Sequence, residues 1–391
     1  MTDISMPSRS DSTPALLHNG SVYSQADPFA SAMIVEAGST NPHARQVVWV
    51  GSEQAARAVR DDRMTVTDLD GDLLTPAFVN SSTDVTAASQ PLAQVLQTAA
   101  SQGVAALVHT GTDLGPEALT DSATDRLPTL FHSPTVDSEH PRDAVVDILN
   151  VWAASDQKPF TASPLVGLRL QLSERVKHTD LAQFLTLCME HRLRPTVVLN
   201  TERDTVALTS VLHQLAAERG ERQLNASGLR LEISSTVGLH QVRHFLDGIS
   251  GYTTTVCLDP LATQVAAEFY RRGTPVTLGW PDPGMNPWRA MKQLLNLPEA
   301  DQSISTRAAF TAATRGAWRA LGRGGPMSGQ LVPGAPASYA RWEVQALMVQ
   351  APSGTGASWS TDPRARTPLL PALEDEALPV CVATEVNPIV A

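Results

Sequence analysis

The sequence predicts a (β/α)8 barrel of the TIM type beside a small composite β-rich domain formed from both chain ends. From residue 73 onward, apolar strand-like runs alternate with longer helical stretches. Eight such runs occur, and several are continuously apolar, as parallel strands covered on both faces should be. On either side of this stretch the chain breaks into short apolar runs separated by turn residues.

Taken in order, residues 1–13 are polar and Ser-rich and read as a disordered tail. Runs at 16–17, 21–23, 32–36, 46–50 and 65–69 read as strands of a small sheet, with a helix over 53–59. The barrel strands are expected at 73–79, 105–109, 129–132, 166–172, 196–200, 229–234, 254–258 and 275–278. Amphipathic helices are expected at 180–191, 204–219 and 264–272, and a further helix at 305–321. The stretch 139–159 is long for a simple crossover. Gly322 to Gly329 is a Gly-rich break, after which 330–349 and 378–384 return to strand-like runs around a Pro-rich segment at 351–371. The expected division is therefore 14–72 with 325–391 as the small domain and 73–324 as the barrel.

Composition narrows the function classes. The 391 residues carry a net charge of −11 with no basic run, which argues against nucleic acid and against an anionic membrane surface as partners. No signal-peptide core and no apolar stretch of transmembrane length is present, so a cytoplasmic protein is expected. The three cysteines, Cys188, Cys257 and Cys381, are far apart and match no zinc spacing. A small-molecule ligand is the partner class left open, with a homo-oligomer as the common default.

Four segments carry a family resemblance. Gly71-Asp-Leu-Leu-Thr-Pro-Ala-Phe-Val-Asn-Ser-Ser-Thr-Asp84 resembles the first barrel strand of the amidohydrolase superfamily, which reads apolar-Pro-Gly-Phe-apolar-Asp-x-His-x-His. Gly273-Thr-Pro-Val-Thr-Leu-Gly-Trp-Pro-Asp-Pro-Gly-Met-Asn-Pro-Trp288 resembles the eighth strand and following loop of its N-acyl and formamide deacylase branch. Ala309-Phe-Thr-Ala-Ala-Thr-Arg-Gly-Ala-Trp318 and Gly329-Gln-Leu-Val-Pro-Gly-Ala-Pro-Ala-Ser338 resemble that branch's closing helix and return to the small domain. The resemblance implies hydrolysis of a non-peptide C–N bond by a water activated on a divalent metal, zinc in the family.

The residues at the family's ligand positions depart from that chemistry. Ser82 and Asp84 stand where two strand-one histidines should enter the mouth together. Asn200 stands at the strand-five histidine, Ile233 at the strand-six histidine, and Pro281 at the strand-eight aspartate, with Asp282 one residue later. These read as vestigial metal positions, with Asp282 and Asp84 as the remaining candidates for a catalytic carboxylate. Trp280 replaces a small residue and would tend to plug the space for metal and substrate.

Other residues could relocate the site. Asp84, Asp113, Glu202, Asp259 and Asp282 follow strand candidates on the face where barrel sites lie, and a cluster of hard oxygens could hold magnesium or calcium; as plain helix caps they would hold nothing. His109 and His132 end the second and third strands and are expected to point to the mouth. His240-Gln-Val-Arg-His244 places two imidazoles one turn apart but lacks the glutamate of a metalloprotease helix, and reads as a surface helix. The expectation is thus an amidohydrolase-like protein without the usual zinc site and with no cofactor, a non-catalytic binding or scaffold protein. The alternative is a hydrolase with a relocated carboxylate-based metal site.

Overall fold

The computed structural model describes residues 13–38, 44–87, 90–111, 114–121, 127–154, 163–259, 262–295, 302–351, 358–360, 368–373 and 377–387. Most of the sheet content is laid out as the apolar runs suggest. Strands β1 (Ala15–His18), β3 (Ala32–Ala37), β4 (Arg45–Gly51) and β5 (Thr65–Asp68) form one sheet in the order β4-β3-β1-β5. A second sheet joins β2 (Ser21–Val22) and β6 (Leu73–Pro76) to β16 (Tyr339–Glu343) and β20 (Val380–Glu385), so both halves of the sequence contribute to it. Near the C-terminal end, β17 (Leu347–Ala351) pairs with β18 (Ser358–Ser360) and β19 (Leu370–Pro371).

The central strands are all parallel. β7 (Phe78–Thr83), β8 (Val104–His109) and β9 (Thr129–His132) form a three-stranded sheet. β10 (Thr135–Val136), β11 (Gly167–Gln171), β12 (Arg194–Leu199), β13 (Arg230–Ile233), β14 (Thr255–Leu258) and β15 (Val276–Leu278) form a six-stranded one. A parallel bridge from His132 to Leu165 and the Val166 N–H bond to the His132 carbonyl, 2.8 Å, link the two. Side chains alternate along these strands. Leu168, Leu170, Val197, Leu199, Leu231 and Ile233 join the main core, which includes the helix residues Leu181, Leu208 and Leu246. The intervening positions, Arg169, Thr196, Val198, Arg230 and Glu232, face the other way.

Local chemistry fixes the helices between strands. The helix Glu202–Arg219 opens on a capping box, in which the Thr201 hydroxyl accepts from Asp204 N–H and the Asp204 carboxylate accepts from Thr201 N–H. It stops at Gly220, whose φ of 87° suits glycine. Its buried stripe of Leu208, Val211, Leu212 and Leu215 is what holds it down, each such side chain contributing on the order of 2 kcal/mol.

Two elements differ from expectation. The run at 73–79 is not one strand: it divides at Ala77, whose N–H bonds the Ser338 carbonyl, while the next N–H, of Phe78, bonds Gly103. The chain therefore changes sheets between Pro76 and Phe78. The helix at 305–321 is two helices, Thr306–Ala312 and Arg315–Leu321, because Val79 N–H takes the Ala313 carbonyl and Thr314 leaves helical geometry at φ −130° and ψ −104°. The long stretch after residue 139 holds the helix Pro141–Ala154. Among the described residues no helix is long and apolar enough to cross a membrane.

Candidate binding site at the strand ends

A cavity of about 300 Å³ opens at the C-terminal ends of the parallel strands. Ser82, Thr83 and Asp84 border it from β7, Thr110 from the end of β8, and Arg169 and Gln171 from β11. Asn200 follows β12, Glu232 to Ser234 close β13, Cys257 to Asp259 close β14, and Gly279 to Pro281 follow β15. Its location is the one where parallel α/β folds place their ligands, because the strand ends converge there and the following loops are free to vary.

The side of the cavity between β7 and β15 is built from a side-chain latch. Asn80 is fully buried; its Nδ2 donates to the Trp280 carbonyl at 2.9 Å, and its Oδ1 accepts from Trp280 N–H at 3.0 Å. Thr83 Oγ1 donates to the Pro281 carbonyl at 3.0 Å, and Arg230 reaches from β13 to the Ser81 carbonyl at 3.0 Å. Gly279 is required here, since a Cβ on it would lie 2.7 Å from Ser82 Cβ.

The opposite side carries an ion pair that sequence reasoning missed. Arg169 Nε donates to Glu232 Oε2 at 2.9 Å across β12, and its Nη1 donates to Thr135 Oγ1 at 2.9 Å. Both side chains are mostly buried, at 17% and 12% exposed. Glu232 Oε1 and Arg230 Nε are buried with no hydrogen-bond partner among the described residues. The signal was present in the sequence: Leu168-Arg-Leu-Gln171 and Arg230-Leu-Glu-Ile233 alternate polar and apolar residues, which a strand apolar on both faces does not do.

The other sequence candidates fall in different places. Ser82, Asp84, Asp259, Trp280 and Pro281 all border the cavity. Ile233 borders it too, but its side chain is 2% exposed and belongs to the strand–helix core, so its register turns it away from a ligand. Trp280 does not plug the mouth: the cavity stands open beside it, and its indole is 1% exposed within the core. Glu202 sits exposed in the first turn of its helix, and Asp282 is exposed with its carboxylate accepting from Gly284 N–H at 2.8 Å; neither borders the cavity. Asp113 lies outside the described residues. His240 and His244 are exposed on the helix Leu239–Gly248.

His109 and His132 do not point into the mouth. They are paired across β8 and β9, share side-chain parity with the core residues Leu107 and Leu130, and stack with ring centroids 5.1 Å apart and planes 8° apart. His132 lies 6.4 Å from Trp152 of the helix Pro141–Ala154, so the pair faces the helical layer. Burial holds the pKa of both below the ordinary value, that of His132 at about 3, and the two rings are neutral. His109 Nδ1 accepts from Val85 N–H at 3.2 Å, so Asp84, 3.6 Å from the same nitrogen, makes no ion pair with it. Burial pushes the Asp84 carboxyl up, but hydrogen bonds from the Thr86 hydroxyl and N–H bring it below the usual range, so it is charged at neutral pH.

These residues do not suit a catalytic zinc. The strand ends offer a hydroxyl at Ser82, an amide at Asn200 and a proline at 281 where two imidazoles and a carboxylate would be needed, and a hydroxyl is a poor zinc ligand. Asp84, Glu232 and Asp259 border one cavity, yet no three His, Cys, Asp or Glu side chains among the described residues come together closely enough to hold an ion. Cys257 is buried, and burial raises its thiol to about 11, which leaves it protonated and a poor ligand.

The sequence matches no family model and no curated protein. Solved structures do match. N-isopropylammelide isopropylaminohydrolase from Burkholderia multivorans is 12% identical with a TM-score of 0.61, over 85% of this chain and 92% of that one. A triazine hydrolase variant is 16% identical with a TM-score of 0.59, over 93% and 97%. A prolidase complexed with N-methylphosphonate-L-proline is 12% identical with a TM-score of 0.59, over 92% and 100%. The chain has the amidohydrolase fold.

Proposed function

We propose that this chain is a non-catalytic relative of the C–N hydrolases that share its fold, a small-molecule binding protein whose mouth has lost the metal centre and kept the cavity. The observation that carries the reading is the set of residues at the strand ends. Ser82, Asn200 and Pro281 border the cavity in place of ligands, and the inward carboxylate of β13, Glu232, is committed to Arg169. A carboxylate held by a guanidinium is poorly placed to bind a cation or accept a proton. The architecture that goes with the reading is a closed (β/α)8 barrel over 73–324 with a composite β-rich domain from 14–72 and 325–391. The Asn80–Trp280 latch between the first and last parallel strands supports closure, and the sheet β2-β6-β16-β20 supports the composite domain. The free thiols Cys188, Cys257 and Cys381 suit a cytoplasmic protein.

The second reading is a hydrolase with a relocated site, favoured by three carboxylates, Asp84, Glu232 and Asp259, that border the same cavity. Elemental analysis of protein purified without chelator separates the two, alongside thermal melting with and without EDTA. The binding reading expects metal far below one equivalent and an unchanged melting temperature. One equivalent of tightly held zinc, or hydrolysis of simple amides and formamides that depends on added magnesium or manganese, would replace it with the second reading.

A further inference from the structure

We infer that His109 is a proton-driven switch on the wall of the strand-end cavity: neutral, it ties the ends of β7 and β8 together, and protonated, it releases them and pairs with Asp84. The inference rests on the metal-free reading of the mouth above and adds how that mouth is regulated. His109 is fully buried, and its Nδ1 is the acceptor for two cavity-side loops. Val85 N–H donates to it at 3.2 Å and Gly111 N–H at 3.4 Å. The residues just before these two, Asp84 and Thr110, border the cavity. The Thr135 hydroxyl donates to the Thr110 carbonyl and accepts from Arg169, which carries the same tie on to β11.

One nitrogen cannot serve both states. Two N–H groups aimed at Nδ1 require its lone pair, which fixes the ring proton on Nε2. A second proton, on Nδ1, turns that acceptor into a donor, so both bonds are lost and two N–H groups are left facing a cation. The acceptor at hand is Asp84 Oδ1, 3.6 Å away. Gly111 lies against both, since a Cβ on it would come within 2.4 Å of His109 Cε1 and 2.5 Å of Asp84 Oδ1, and its lack of a side chain leaves them room to meet.

The proton belongs to His109 rather than to its stacked neighbour. Burial holds the His109 pKa below the ordinary value, and Asp84, facing it from the end of β7, acts the other way. His132 stacks on it from β9; burial already keeps that ring neutral, and a charge on His109 disfavours a second one there. The helix Pro141–Ala154 turns Trp152 to the pair, while its Arg142, Asp143 and Asp147 are exposed, as is Glu117 of the helix Pro116–Asp121. Arg169, beyond Thr135, is paired with Glu232. The tie is therefore closed at neutral pH and opens below about 6.5.

The test is hydrogen-exchange mass spectrometry of the full chain between about pH 7.5 and 4.5, with rates corrected for their intrinsic pH dependence. Protection in the peptides containing Val85 and Gly111 should fall about fivefold in one step below about 6.5, as the loss of one ordinary hydrogen bond would give. The peptide over β12 should change by less than about twofold. His109→Asn keeps an acceptor near the Nδ1 position and has no proton to gain, so its step should vanish, whereas His132→Asn should keep the step. Asp84→Asn removes the charge that favours the imidazolium and should move the step about 1 pH unit lower. Circular dichroism over the same range checks that each protein stays folded, and if His109→Asn does not fold, the Asp84→Asn shift decides.

A step that survives in His109→Asn, disappears in His132→Asn or stays in place in Asp84→Asn overturns the switch and leaves the metal-free reading standing. So does unfolding of the wild-type chain with no earlier local step. A step abolished by EDTA would put a metal at the mouth and remove both.

Discussion

Asn80 and Trp280 exchange two hydrogen bonds, one through each side-chain amide atom of Asn80, at 2.9 and 3.0 Å. Both residues are buried, so neither bond competes with solvent. Residues 200 apart in the chain are thereby held edge to edge at the first and last parallel strands. Asn80 carries both a donor and an acceptor on one planar group, which is what the Trp280 backbone requires. Asn80→Ala leaves a buried N–H and a buried carbonyl unpaired. It should lower unfolding free energy by about 2–4 kcal/mol in urea titration. Wild-type stability in that variant would show that the latch holds nothing.

A double-mutant cycle reads the Arg169–Glu232 pair. Arg169→Met strands a carboxylate that already has one unpartnered oxygen and should cost about 2–4 kcal/mol. Arg169→Met with Glu232→Met removes both charges and should be less destabilising than Arg169→Met alone. Strictly additive costs in chemical denaturation would mean that the two charges are not coupled.

Acid should weaken the fold through His132. Its folded pKa, about 3, lies below the roughly 6.5 of an unfolded histidine, so between those values the unfolded chain holds more protons. Stability therefore falls as pH drops below about 6.5, by up to about 1.4 kcal/mol per pH unit from this group. His132→Leu should flatten that limb of the stability profile measured from pH 7 to 5. An equally steep limb in the variant would move the effect to other groups.

Glu268 responds in the same direction for the opposite reason. Burial pushes its carboxyl up, but hydrogen bonds from Arg271, Arg243 and Arg272 pull it to about 2. Its folded pKa is thus below the unfolded one, so its contribution is complete above about 4.5 and is lost as pH falls toward 2. Glu268→Gln should lower the melting temperature at pH 7 and reduce the acid sensitivity between pH 4.5 and 2.

Of the nine central strands, β8, β9 and β11 to β15 were legible because apolar runs of strand length between helical stretches have few other solutions, whereas the two-residue β10 was not expected and β7 lies at 78–83 rather than 73–79. The sheet change at Ala77 and the helix break at Thr314 were not legible, because each is set by a backbone bond to a distant residue, Ser338 and Val79. In the site, the motif positions led to Ser82, Asp84 and Trp280. Arg169 and Glu232 lie at no motif position, and their only trace in the sequence is the polar–apolar alternation within β11 and β13. Strand parity also corrected two readings: Ile233 and the His109–His132 pair turn toward the helices.

The sheet β2-β6-β16-β20 has a bearing on how the protein is made. Thr75 on β6 accepts the Trp342 indole N–H at 2.9 Å across a separation of 267 residues. During synthesis at about 5–20 residues per second, β6 leaves the ribosome many seconds before β16 can reach it. Through that interval the apolar strand Leu73–Pro76, buried at every position in the finished fold, has an unsatisfied edge. Premature chain termination before Tyr339 should therefore give an aggregating product rather than a shortened soluble one, and the nascent chain is a natural client for a chaperone that shields exposed strands.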